Sequence, residues 1–201
     1  MSKVLYIKAN SKPEGVSNTF KISDFFLNEY KNKHPNDEIT TLDLYKEGVN
    51  FLSMEEIVAI FSPKNDVSQN NFILRYAYQF AGMDKFIIAA PMWNLGVPAI
   101  LKAYIDYVSI SGITFNYTEN GPVGLLNNKK SVYIMTSGGN YSIPPYSEFD
   151  LCSKYLKTIF AFFGITDFTT ITAENLNVVG TDIEAELEKA KCKCSEMVKY
   201  F

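Results

Sequence analysis

The sequence predicts an α/β protein in which helices cover both faces of a five-stranded parallel sheet, giving a sandwich of three layers. Two observations lead to this prediction. Short apolar runs rich in strand-forming residues recur along the chain, and such runs are typical of strands buried on both faces. Segments with the apolar spacing of helices separate these runs, as expected when helical crossovers connect parallel strands.

Five segments have the composition of strands. The first and third are continuously apolar and belong in the middle of the sheet, whereas the second alternates apolar with polar residues and is expected on the outside. Right-handed crossovers restrict the possible topologies, and five such strands are expected in the order 2-1-3-4-5. The predicted strands are residues 4–7, 38–44, 86–90, 131–136 and 168–173.

Six helices are predicted from apolar side chains at helical spacing. Ser17 or Asn18 suits the N-cap of the first helix, and Gly112 is expected to end the fourth, which follows Pro98. An alternating segment and a Glu-Asn-Gly-Pro turn within residues 113–122 predict a short hairpin. The other helices are expected at residues 17–33, 54–61, 70–81, 148–163 and 181–200.

Composition limits the class of protein. The length suits one domain over residues 1–201, and 47% hydrophobic with 20% charged residues indicates a folded chain. A formal net charge of -3 argues against general nucleic-acid binding. The apolar runs are too short for a membrane span or a secretory signal, so a cytoplasmic location is expected. One histidine and three cysteines leave little material for a metal site, and none is predicted.

Ligands of open α/β sheets bind beyond the carboxyl ends of the strands, which directs attention to three loops. The loop after the first strand offers Ser11, Ser17, Asn18 and Thr19 beside the free N–H groups of a helix start, which together suit a phosphate. The glycine patterns of a Rossmann site and of a P-loop are missing. An ordinary connecting loop with a capping serine is the alternative interpretation.

The second loop follows the third strand and carries the only tryptophan of the chain. Because a proline at either end stiffens this loop, the tryptophan ring suits the wall of a pocket for a flat aromatic ligand. Packing of the ring as a plug on the core is the alternative. The residues expected to bind are Pro91, Met92, Trp93, Asn94 and Leu95.

The third loop covers residues 136–141, and its residues expected to bind are Ser137, Gly138, Gly139 and Asn140. Adjacent glycines let the backbone approach a ligand closely, although a flexible turn would also explain them. Together the three loops predict one pocket for a phosphate, a flat ring and a polar ring edge. Flavin mononucleotide (FMN) combines these parts in one molecule, so an FMN site is predicted.

Around these loops the sequence resembles the FMN-dependent NADH-azoreductases, also called FMN-dependent NADH:quinone oxidoreductases. The resemblance extends from Met1 nearly to the C-terminus. A long run such as Thr-Glu-Asn-Gly-Pro-Val-Gly-Leu is poorly explained by chance. The segments that carry the resemblance are residues 90–94 with Pro98, 101–106, 112–125, 136–139 and 162–167.

The resemblance implies a flavodoxin-like fold and a homodimer with an FMN in each of two sites at the subunit interface. It implies that the first loop binds the phosphate and that the other two hold the isoalloxazine ring. Tyr117 and Phe162 match positions on the substrate side, although core or dimer packing would also account for them. Many members carry an arginine before the two glycines, as in Ser-Arg-Gly-Gly, whereas this chain reads Ser137-Gly138-Gly139-Asn140, so the arginine is absent or the loop is shifted by one residue. Residues 45–69 match the family poorly.

The activity implied by the resemblance is oxidation of NADH or NADPH coupled to two-electron reduction of quinones or azo bonds, with ping-pong kinetics. No motif separates NADH from NADPH. A flavodoxin-like FMN electron carrier that does not oxidise NAD(P)H is the alternative, but such carriers are usually more acidic. A hydrolase is disfavoured, because the chain has no G-x-S-x-G motif and only one histidine.

Overall fold

The computed structural model describes residues 1–61 and 73–201. Its centre is a parallel sheet of five strands, as predicted, and the predicted hairpin is confirmed as an antiparallel pair. The sheet strands are β1 (Lys3–Lys8), β2 (Glu38–Asp43), β3 (Lys85–Ala89), β6 (Lys130–Thr136) and β7 (Asp167–Ala173), and the hairpin strands are β4 (Phe115–Thr118) and β5 (Gly121–Gly124).

The strands lie in the order β2-β1-β3-β6-β7. The numbers differ from the expected 2-1-3-4-5 because that order counted only sheet strands, whereas the two hairpin strands precede the fourth strand of the sheet in sequence. Strand β1 pairs with β2 on one side and with β3 on the other, so the winding of the chain reverses beside β1. In open α/β sheets a crevice for ligands opens at such a switch point.

In the described ranges, six α-helices connect or follow the strands, and several of them begin or end a few residues from their predicted bounds. Helices α1 and α6 pack against one face of the sheet, and α3, α4 and α5 pack against the other. The helices are α1 (Asn18–Lys33), α2 (Met54–Phe61), α3 (Arg75–Ala81), α4 (Ala99–Val108), α5 (Leu151–Phe162) and α6 (Ile183–Met197).

Helix α4 ends at Val108, so the prediction that it continues to Gly112 is wrong. The hydroxyl of Thr114 donates to the carbonyl oxygen of Val108 over 2.8 Å, and the hydroxyl of Ser109 donates to that of Ile105 over 2.6 Å. The carbonyl group of Val108, which a continuing helix would have bonded to the N–H of Gly112, accepts from Thr114 instead, whereas that of Ile105 also accepts the backbone N–H of Ser109 as in a regular helix. Gly112 lies in the following turn with φ of 85°.

Helix α5 begins at Leu151 rather than at residue 148. The carboxylate of Asp150 accepts a hydrogen bond from the N–H of Ser153 over 2.9 Å and caps the helix there. The residues immediately before it, Tyr146–Phe149, form a short 3-10 helix. An aspartate cap, at Asp182, likewise starts α6 two residues later than predicted.

The predicted helix at residues 70–81 is only partly within the described residues. Residues 70–72 lie outside them, residues 73 and 74 form a turn, and helix α3 occupies Arg75–Ala81. The predicted helix at 54–61 is confirmed as α2. In the described ranges, no helix has the length and apolar character needed to cross a membrane.

The alternation of side chains along β1 explains the three layers. Val4 and Tyr6 belong to the core beneath α1 and α6, whereas Leu5 and Ile7 belong to the core beneath α3, α4 and α5. All four side chains are buried, as expected for a central strand covered on both faces. The two cores therefore hold the carboxyl ends of the central strands in fixed positions relative to the helix starts.

Ser17 caps helix α1 and supports a prediction about stability. Its buried hydroxyl oxygen accepts hydrogen bonds from the N–H of Phe20 (3.2 Å) and from the side-chain amide of Asn10 (2.9 Å). We expect Ser17→Ala to lower the free energy of unfolding by about 1–3 kcal/mol, because it removes a helix cap and leaves a buried amide without its acceptor. Urea denaturation measures this change.

The matched control is Ser53→Ala. Ser53 accepts the N–H of Glu56 at the start of α2, but the bond is exposed to solvent. We expect its loss to cost less than that of Ser17, since water replaces the missing partner. Equal losses for the two variants would contradict the role assigned to the buried cap.

Candidate functional site

A pocket of about 170 Å³ lies where the loops after β1, β3, β6 and β7 meet. This is the carboxyl end of the sheet, beside the switch point at β1. The three loops named from the sequence all contribute to it, and the loop after β7 is a fourth contributor. The lining residues are Asn10, Lys12, Asn18, Thr19, Pro91, Met92, Trp93, Thr136, Ser137, Gly138, Leu176 and Asn177.

The structure separates the predicted site residues into two groups. Those that line the pocket are Asn18, Thr19, Pro91, Met92, Trp93, Ser137 and Gly138. Those that do not line it are Ser11, Ser17, Asn94, Leu95, Gly139 and Asn140. The second group shapes the loops or faces elsewhere, as the contacts below explain.

The start of helix α1 presents free hydrogen-bond donors to the pocket. Within the described residues, the backbone N–H groups of Asn18 and Thr19 donate to no acceptor, because each lies in the first turn of the helix. Lys12 lines the same pocket, and within the described residues its ammonium group forms no ion pair. Backbone donors at a helix start together with a lysine make a binding site for an anion.

Ser11 and Ser17, both predicted to bind phosphate, have other positions. The hydroxyl of Ser17 is buried and occupied in capping α1. Ser11 lines a neighbouring pocket together with Tyr45. A hydroxyl in a connecting loop can face either side of that loop, and composition does not indicate which side.

Lys8 contacts both the loop after β1 and helix α1. Its side chain is almost fully buried at the end of β1, and its ammonium group lies 2.8 Å from a carboxylate oxygen of Glu14. The ammonium also lies 4.3 Å from the ring centroid of Phe20 in α1. The ion pair and hydrogen bond with Lys8 hold the pKa of Glu14 below its usual range. The loop is thereby attached to both the strand and the helix that it connects.

Trp93 begins a tight turn at the end of β3. Its N–H and carbonyl groups exchange hydrogen bonds with Gly96 over 2.9 and 3.0 Å. The two residues between them, Asn94 and Leu95, have φ of 50° and 68°, which is the left-handed pair of a type I′ turn. A leucine in this region is strained, and such strain is found where a loop conformation serves a binding site.

The exposure of Trp93 decides between the two interpretations of its ring. The side chain is 38% exposed and lines the pocket, so it forms a wall rather than a plug on the core. Asn94 and Leu95 do not line the pocket, because the turn directs them away from it. Their contribution is to the shape of the loop that presents Trp93.

Two buried donors support this loop. The hydroxyl of Tyr133 donates to the carbonyl oxygen of Ala90 over 3.1 Å, and the thiol of Cys152 lies 3.8 Å from that of Leu95. Burial raises the pKa of Cys152 to about 12 and that of Tyr133 well above its usual value. Both groups therefore keep their protons at neutral pH and remain able to donate.

The loop after β6 turns its carbonyl groups towards the loop after β7. The carbonyl oxygens of Ser137, Gly138 and Gly139 accept hydrogen bonds from Leu176, Asn177 and Asn175 over 3.0–3.2 Å.

The backbone N–H groups of the two glycines in the same loop behave differently from the carbonyl groups. The N–H groups of Gly138 and Gly139 donate to no acceptor in the part of the chain that the structure describes. Because Gly138 lines the pocket, its N–H group is available to a ligand carbonyl, which is the role expected of this loop. Gly139 itself lies beside the ring of Tyr141 and does not line the pocket.

Tyr117 and Phe162 belong to one aromatic cluster, with Phe115 between them. The ring centroid of Phe115 lies 5.4 Å from that of Tyr117 and 4.6 Å from that of Phe162. Tyr117 lines a second pocket of about 620 Å³, which shares no lining residue with the first. Within one chain the two predicted substrate-side residues are therefore together, but they do not line the pocket formed by the loops.

Sequence reasoning missed five residues of the pocket. Asn10 and Thr136, whose hydroxyl lies 2.6 Å from that of Thr19, begin the first and third predicted loops, although neither is among the residues predicted to bind. The charge of Lys12 was a usable indication, since it lies in a predicted phosphate loop. Leu176 and Asn177 follow a strand whose loop has no distinctive composition.

Known proteins are similar to this chain in both sequence and structure. Residues 2–198 match the family model described as Flavodoxin-like fold. The chain is 59% identical to FMN-dependent NADH:quinone oxidoreductase 2 of Clostridium acetobutylicum and 57% identical to FMN-dependent NADH:quinone oxidoreductase of Caldicellulosiruptor saccharolyticus. Each match covers 100% of both chains.

Solved structures agree in fold over the same length. An azoreductase from Bacillus anthracis str. Sterne superposes with a TM-score of 0.90 at 34% identity, covering 100% of both chains. An FMN-dependent NADH-azoreductase from Bacillus anthracis str. Ames Ancestor, solved in complex with FMN, has a TM-score of 0.89 at 28% identity, covering 99% of this chain and 98% of that one. The chain belongs to the flavodoxin-like family of FMN-dependent NADH:quinone oxidoreductases.

Proposed function

We propose that the chain is an FMN-dependent NADH:quinone oxidoreductase that also reduces azo bonds, and that residues 1–201 form one FMN-binding domain. The observation that carries the proposal is the pocket itself, whose lining brings together residues with backbone N–H groups that no described acceptor uses, a lysine and the partly exposed Trp93. Relatives at 57% and 59% identity bear this name.

The pocket residues fit the parts of FMN. Lys12 and the N–H groups that begin α1 would bind the phosphate, and Trp93 would lie against the isoalloxazine ring. The N–H group of Gly138 would meet a carbonyl at the ring edge. The volume of about 170 Å³ is smaller than the roughly 300–1,000 Å³ of most ligand pockets, so much of the ring would extend beyond it.

A homodimer would complete such a site. Phe115 and Tyr117 line a different pocket of the same chain and Phe162 packs against Phe115, so a second copy would be needed to bring this cluster to the open side of the flavin. Several large apolar side chains near that pocket are exposed, including Phe61 at 81%. Sedimentation of the FMN-loaded protein tests this part of the proposal, and a monomer would contradict it.

When bound, FMN supplies the redox chemistry that takes two electrons from NADH and passes them to the acceptor. The chain contributes binding and orientation. The N–H group of Gly138 would stabilise negative charge on the ring, in the way that backbone donors stabilise an oxyanion. Lys12 is the only ionisable residue among those that line the pocket, so no side-chain acid or base is assigned.

Anaerobic addition of NADH to the FMN-loaded protein separates the oxidoreductase from an electron carrier. We expect prompt bleaching of the flavin band, followed by recovery when menadione or an azo dye is added. A carrier would stay yellow, because it does not react directly with NADH. In the steady state, NADH and menadione should give the parallel double-reciprocal lines of ping-pong kinetics.

A further inference from the structure

Asn177 is a residue of the pocket to which neither the sequence nor the proposed function gives a role. It lies in the loop after β7, lines the pocket and is exposed to it. Within the described residues its side-chain carboxamide makes no hydrogen bond, although its backbone N–H donates to the carbonyl oxygen of Gly138 over 3.0 Å. The backbone is anchored while the amide is left free to bind a ligand.

The side-chain carboxamide of Asn177 packs directly against Gly138. A side-chain carbon placed on Gly138 would come within 2.5 Å of the amide nitrogen of Asn177 and within 3.1 Å of its carbonyl carbon. The absence of a side chain at residue 138 therefore makes room for this carboxamide. Gly138 after β6 and Asn177 after β7 are therefore neighbours in the pocket lining.

The order of the sheet indicates which part of a ligand Asn177 meets. Strands β1 and β7 are separated by β3 and β6, so their ends are roughly 14 Å apart at the usual strand spacing. Lys12 and the start of α1, which suit the phosphate, follow β1. An amide that follows β7 therefore lies nearer to the opposite end of the ligand than to its phosphate.

A carboxamide is chemically matched to the pyrimidine edge of a flavin. That edge presents two carbonyl oxygens with an N–H between them, and a carboxamide carries one donor and one acceptor side by side. Paired in this way, the amide would make two hydrogen bonds without adding charge. A carboxylate at the same place could accept but not donate, and its charge would oppose that of a reduced flavin.

We propose that Asn177 is a further flavin-binding residue that recognises the imide edge of the ring, an inference that rests on the proposed FMN site. Asn177→Ala is expected to weaken FMN binding about tenfold, the effect of losing one or two neutral hydrogen bonds. The loss should be equally large for riboflavin, because the phosphate is not involved. The matched control is Val178→Ala, since Val178 is exposed and lies outside the pocket lining.

The decisive experiment compares FMN with N3-methyl-FMN, which lacks the imide proton, in a fluorescence titration of the whole chain. The unmodified protein should bind N3-methyl-FMN more weakly than FMN. The Asn177→Ala variant should bind the two flavins almost equally, since it already lacks the carboxamide that pairs with the imide proton. Asn177→Asp should bind FMN with a lower midpoint potential than the unmodified protein. The inference would be overturned if methylation weakened binding equally in both proteins, or if Asn177→Ala bound FMN with unchanged affinity. Failure of the unmodified protein to bind FMN would contradict the proposed function instead.

Discussion

Gly138→Val is expected to abolish FMN binding, with a loss of affinity of at least about 100-fold. Even a single carbon at residue 138 would come within 2.5 Å of the side chain of Asn177, and a branched side chain would also occupy the pocket that Gly138 lines. A ligand that has to approach this backbone closely cannot share the space. Fluorescence titration with FMN measures the loss, and circular dichroism establishes whether the variant is folded.

Two further variants make this test specific. Gly138→Ala adds less volume and should weaken binding by a smaller factor, since the flexible side chain of Asn177 can move. Gly139→Ala should retain FMN, because the added carbon lies 3.4 Å from the ring of Tyr141 and outside the pocket lining. A folded Gly138→Val protein that binds FMN normally would remove this loop from the site.

Lys12→Met should weaken FMN binding by about 10- to 100-fold and leave riboflavin binding unchanged. Lys12 supplies the only cationic side chain of the pocket lining, and a hydrogen bond to a charged group contributes roughly 1.5–3 kcal/mol. Because riboflavin lacks the phosphate, it has no partner for this ammonium. Salt should reduce the affinity for FMN in the unmodified protein more than in the variant.

The control for Lys12→Met is Lys46→Met. Lys46 lies in the neighbouring pocket and pairs with Asp43 at 3.0 Å, so its removal changes the net charge equally without removing a group from the FMN pocket. We expect Lys46→Met to bind FMN almost as tightly as the unmodified protein. Similar losses in both variants would mean that only overall charge matters and would contradict a phosphate contact by Lys12.

Much of the fold followed from hydrophobic pattern, because a parallel sheet covered on both faces requires continuous apolar strands. The run at β3 is a clear case, and every one of its last four residues is buried. Helix ends were harder to predict. Gly112 looked like a C-terminal cap, but the hydroxyl of Thr114 satisfies the carbonyl group of Val108 at the end of α4. Such local competition between side chains is not visible in periodicity.

The site was predictable to the extent that parallel strands end at the same edge. That rule brought Asn18, Trp93 and Gly138 into one pocket. It did not indicate which way each side chain faces, so Ser17 was expected to bind a ligand although it caps a helix. It also did not draw attention to Asn177, because the loop after β7 has no glycine pair, tryptophan or proline to distinguish it.

Equilibrium titration of the ligand-free protein with FMN tests the central claim most directly. A pocket with an anion site at one end and an indole wall at the other should bind FMN at micromolar concentration or below and quench its fluorescence, with riboflavin binding more weakly. If the folded protein neither binds FMN at these concentrations nor prefers it to riboflavin, the four loops do not form a flavin site.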